Sequence, residues 1–163
     1  MKQRGWLLAL GLFLGLCLFA GCGDKTDDEK KTEVTQTLEE IYAQMEENVE
    51  LSPMLRLEDD YITNYYGVDL STFEEYVFMT AENALLAETI VMVKMKDGES
   101  SEPIVKLLEN IIKQKKAELE NYLPEQFKIV EKSEVTTNGN YVILIISSKK
   151  AELEEQLPEA LRP

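Results

Sequence analysis

The stretch "AETIVMVKMKDG", Ala87–Gly98, decides the fold. In an extended chain successive side chains alternate, so Ile90 and Met92 point one way while Val91 and Val93 point the other. Both sets are apolar. A strand apolar on both faces belongs in the interior of a sheet that is covered on both sides. The turn at Lys96–Gly98 leads to Ser100 and Ser101, which are N-cap residues in type, and to Pro103 in a first helical turn. A long helix follows, with Ile104, Leu107, Leu108, Ile111, Ile112, Leu119 and Tyr122 on its apolar stripe, and Pro124 is expected to end it.

On the N-terminal side, "TFEEYVFMTA" (Thr72–Ala81) reads as the preceding strand. On the C-terminal side, "QFKIVEKSEV" (Gln126–Val135) reads as a third strand. The Asn-Gly pair in "TNGN" (Thr137–Asn140) signals a tight hairpin into the fourth, "YVILIISS" (Tyr141–Ser148). Ser147 or Ser148 then caps a last helix, "KKAELEEQL", stopped by Pro158. The expected fold class is α+β: a mainly antiparallel four-stranded sheet in the series β-β-α-β-β-α, covered by the long helix. The order 1-2-4-3 places both apolar strands inside. An additional N-terminal helix is read from Val34, Leu38, Ile41, Tyr42 and Met45, closed by Pro53, with a role in covering the sheet. A short helix carries Leu57, Tyr61 and Tyr65 at intervals of four and ends at Gly67, with Tyr66 facing elsewhere.

Composition bounds the function. The chain has 163 residues, 44% apolar and 29% charged, enough for one compact domain and one appendage. A formal charge of −14 disfavours nucleic acid and direct adsorption to an anionic membrane. The chain contains no histidine, which removes Ser-His and Cys-His catalysis and imidazole metal ligands.

Both cysteines lie near the N-terminus. Lys2 and Arg4 precede an uncharged run from Gly5 to Gly23, which ends in the small residues Ala20 and Gly21 immediately before Cys22. This pattern resembles the lipobox of bacterial lipoproteins, with Phe19 standing where leucine is usual three residues before the cysteine. The resemblance implies a signal peptide over residues 1–21, cleavage between Gly21 and Cys22, and a diacylglycerol on the Cys22 sulfur. Cys17 then leaves with the signal, so the mature chain has no free thiol and no disulfide. Residues 22–33 follow as a lipidated cysteine and a disordered acidic tether, since "GDKTDDEKKTE" has no apolar side chain. Its acids lack the alternating oxygen ligands and turn glycine of a calcium loop. Lipid chains, not charge, must hold so acidic a protein to the membrane. Residues 34–163 are expected to form a single domain.

The domain also resembles a family. "AETIVMVKMKDG", the helix end "KQKKAELENYLPEQF" and "NGNYVILIISS" look like an uncharacterised domain-of-unknown-function family of small lipoproteins from Gram-positive bacteria, over roughly Leu57 to Leu157. The positions that carry the likeness are Glu88, Lys94, Gln114, Tyr122, Pro124, Gly139, Tyr141 and Val142; Lys113 stands near where the family commonly has arginine. The resemblance implies an extracytoplasmic location and a compact α+β domain, and brings no catalytic residues.

Two classes of function are weighed. The first is a non-catalytic binding or accessory protein of the cell envelope, lipid-anchored on the extracytoplasmic face, whose partner is an envelope protein or cell-wall component. Its candidate ligand or partner surface is Tyr61, Tyr65 and Tyr66, beside Asp59, Asp60 and Asn64, a grouping that suits stacking on carbohydrate. The second is an envelope hydrolase using carboxylates; a small solute-binding lipoprotein of a transporter is a further variant. The adjacent pairs Glu74/Glu75 and Asp59/Asp60 are poor acid/base geometry, because neighbours on a strand point to opposite faces. No cofactor, metal or catalytic residue is assigned. Lys113, Gln114, Lys115 and Lys116 read as a solvated helix face.

Overall fold

The computed structural model describes residues 34–163. The expected signal peptide, the Gly21–Cys22 cleavage point, lipidated Cys22 and the tether all lie outside these residues. Thr37 opens the first helix, α1 (Leu38–Asn48), through a reciprocal capping box with Glu40. That helix stops at Asn48, where Val49 turns extended, before Pro53 is reached. Pro53 instead precedes a strand that the sequence reading omits, β1 (Met54–Arg56). The short helix α2 (Asp59–Tyr66) ends as expected, with Gly67 in the left-handed region at φ 69°.

The sheet is antiparallel throughout, with the order β1-β2-β3-β5-β4, where β2 is Phe73–Ala81, β3 Thr89–Met95, β4 Val135–Asn138 and β5 Tyr141–Ile146. It therefore has five strands, not four. The order of the four expected strands matches, and β1 adds an edge beside β2. The largest correction concerns Gln126–Val135. Most of that stretch is helix: α3 spans Glu102–Leu119, and Pro124 does not stop it but opens α4 (Pro124–Glu131). Proline tolerates a first helical turn, where its missing N–H has no intrahelical partner. Phe127 and Ile129 alternate like a strand, yet Leu123, Phe127 and Val130 fall at helical spacing, and Val130 is the residue α4 buries completely. The strand begins only at Val135. Tyr122, expected on the helical stripe, lies in the α3–α4 turn and is 84% exposed.

Two apolar cores flank the sheet. Val91, Val93 and Met95 pack with Phe78, Leu108 and Val142 on the side covered by α2, α3 and α4. Ile90 and Met92 pack with Val77, Ile143, Leu38 and Met45 on the side covered by α1 and the C-terminal helix α5 (Lys150–Glu154). Every residue of β3 except Lys94 is buried, which is the two-faced burial that its sequence predicts.

Candidate functional site

α2 is set against the sheet by one fully buried side chain, Ile62, with Leu57 and Tyr66 half-buried beside it. Tyr76 of β2 fixes the start of the helix by donating its hydroxyl to Asp59 at 2.9 Å. Burial, and then this bond, raise the Tyr76 pKa. The remaining face of α2 points to solvent. Tyr61 and Tyr65, one turn apart, stack with ring centroids 4.9 Å apart and planes 14° apart. They stay 44% and 68% exposed, too open to count as core.

Tyr66 does not face elsewhere. Its ring meets Tyr61 and Tyr65 edge-on, at 5.7 and 5.1 Å, while it also packs against the core. Burial, reinforced by the neighbouring tyrosines, pushes its pKa up to about 12. The three candidate tyrosines therefore form one cluster: a half-buried base and an exposed stack. Glu58, Asp59, Asp60 and Asn64 surround the stack as an open acidic surface.

Behind Tyr66 lies a cleft of about 260 Å³ that no single sequence motif signals. Its wall combines Val68 and Phe73 after α2, Met95 at the end of β3, and Ile104 and Leu107 in the first turns of α3. The lining comes from two stretches of chain, residues 66–73 and 95–107. Asp69 and Glu99 place carboxylates among its lining.

The other acidic pair is occupied. A bulge between Phe73 and Glu75 breaks the alternation assumed for β2, so Glu74 and Glu75 both reach Lys94, at 2.9 and 3.5 Å. The Glu74 bond is the main reason the Lys94 pKa is raised. Glu75 also accepts the Leu38 N–H at 2.8 Å and so caps α1 from the sheet. Lys94 lies 5.9 Å from the centre of the Tyr141 ring. Glu88 is likewise structural, accepting hydroxyl bonds from Ser52 and, at 2.9 Å, from Ser147. On α3, Lys115 is not part of a solvated face: it is half-buried, and burial holds its pKa below the usual lysine value. Among the described residues, no cluster of three or more acidic or cysteine side chains is arranged to hold a metal, and no helix is long and apolar enough to cross a membrane.

A family model matches residues 47–147, well over half of the chain, and its description is a domain of unknown function, DUF4358. No curated protein matches the chain. No solved structure matches it. The matched segment includes α2, the cleft and all five strands.

Proposed function

The chain belongs to the DUF4358 family, and from that premise we propose that it is a non-catalytic, lipid-anchored envelope protein of a Gram-positive bacterium that binds an envelope partner through α2. In this reading Gly21–Cys22 is cleaved, Cys22 carries the diacylglycerol, and the domain works on the extracytoplasmic face. The sequence around Cys22 supports the anchor. The observation that carries the binding reading is the Tyr61–Tyr65 stack, two large aromatic side chains packed on each other on a helix and left in solvent. A binding role is also favoured because Glu74 and Glu75 are committed to Lys94 and the α1 cap, while Asp59 is committed to Tyr76.

Two measurements test the reading. Cys22→Ser should release the protein from the membrane fraction or leave an uncleaved precursor; unchanged fractionation and processing would refute the anchor. A photo-crosslinking residue at Tyr65 should trap a defined partner in intact cells, and Tyr61→Ala in the same chain should abolish that adduct. An adduct insensitive to Tyr61 would refute the tyrosine stack as the recognition element, and the absence of any adduct would refute α2 as the surface.

A further inference from the structure

We propose that the tyrosine stack and the cleft behind Tyr66 form one recognition surface, whose occupant is an extended protein segment that alternates basic and apolar side chains. The inference rests on the binding reading of α2 and names the class of partner. Tyr66 makes the two parts continuous, since it belongs to the aromatic cluster and also lines the cleft.

The cleft selects an apolar side chain. At about 260 Å³ it is smaller than the roughly 300–1,000 Å³ of a typical small-molecule pocket, and its wall is built from Val68, Phe73, Met95, Ile104 and Leu107. A single leucine- or phenylalanine-sized group suits that space. The stack selects a cation. Aromatic faces attract ammonium and guanidinium groups, and Glu58 and Asp60 beside the rings form no ion pair among the described residues. No lysine or arginine lines either part. With Asp69 and Glu99 at the cleft, the charge complement of the whole surface is positive.

The carboxylates around the rings favour a cation over the carbohydrate that the residue grouping also suits. Tyr61 and Tyr65 spend one face each on the other. A cation needs only one outer face and nearby carboxylates, and both are present.

The test uses the full chain in a non-ionic detergent, with 13C-labelled tyrosine rings followed by NMR. Four probes are titrated: the hexapeptide amides acetyl-(Arg-Leu)3, acetyl-(Glu-Leu)3 and acetyl-(Arg-Ser)3, and tri-N-acetylglucosamine. The Arg-Leu peptide should shift the Tyr61, Tyr65 and Tyr66 signals and bind at least about tenfold more tightly than the other peptides. Its affinity should weaken as salt rises from about 0.05 to 0.5 M, because screening shortens the reach of the carboxylates. Tyr65→Ala and Asp60→Asn, both at exposed positions, should each weaken it severalfold without changing the fold. Equal binding of the Glu-Leu peptide would overturn the cationic part, and equal binding of Arg-Ser would overturn the cleft. Tyrosine shifts with the glycan alone would keep α2 as a binding surface but overturn this class of occupant. No shift with any probe would overturn both.

Discussion

The bond from the Leu38 N–H to Glu75 offers the sharpest test of how α1 is held. Helix N-termini leave backbone donors without intrahelical partners, and in α1 the capping box serves Glu40 while Glu75 of β2 serves Leu38. Leu38 is 1% exposed, so water is a poor substitute acceptor. In Glu75→Ala the lost bond to a charged acceptor should cost about 1.5–3 kcal/mol. Lys94 keeps Glu74 at 2.9 Å, so the loss of its longer, part-exposed contact with Glu75 adds only about 0–1 kcal/mol. We expect a total of about 2 kcal/mol, equivalent to a fall in Tm of roughly 8 °C for a domain of this size. Glu75→Gln keeps a carbonyl acceptor and should lose about half as much. Urea unfolding followed by circular dichroism gives the magnitude, and hydrogen exchange at the Leu38 amide gives the location. A loss below about 0.5 kcal/mol in the alanine variant, or equal losses in both variants, would refute the capping role.

Two further outcomes follow from the cores. Lys115→Met should stabilise the protein by about 1 kcal/mol near neutral pH, because it keeps the buried stem and removes a half-buried charge that forms no ion pair among the described residues. The folded state holds the Lys115 proton less tightly than the unfolded state, so the native protein gains stability as pH rises from the depressed folded value toward 10.5. The advantage of methionine should shrink across that window in urea unfolding at pH 7 and 10; a constant or widening gap would contradict the assignment. Met92→Ala, at a fully buried site on the α1 side of β3, should cost about 3 kcal/mol, whereas exposed Leu55→Ala should stay within about 0.5 kcal/mol. Comparable losses at the two sites would show that Met92 is not a core residue of the α1 side.

The parts of the fold that local chemistry dictates are legible before any coordinates. Ile90 and Met92 against Val91 and Val93 place β3 inside the sheet, Gly67 marks the end of α2, and Asn138-Gly139 marks the last hairpin. What escapes is context. Pro124 serves equally as a helix stop or a helix start, and only the packing of Val130 decides between them. Met54–Arg56 is too short and too exposed to show alternation, so its pairing with Met79–Ala81 creates the strand. At the site, a spacing of four brings Tyr61 and Tyr65 together, but how their rings lie depends on Tyr66 and on how Ile62 seats the helix. The cleft joins two stretches, residues 66–73 and 95–107, which the pairing of Phe73 with Met95 brings together.

The sheet order also governs what the protein shows to other copies of itself. β3 and β5, uncharged apart from Lys94 and rich in β-branched residues, have the composition that stacks readily into fibrils. Each lies between two neighbours, so its backbone donors and acceptors are already taken. The strands left at the rims have three and four residues, one preceded by Pro53 and the other closed by the Gly139 turn. Rims that short are poor templates for an incoming chain. The modest β1 and β4 thus act as guards, keeping the most adhesive sequence in the protein from meeting its own kind.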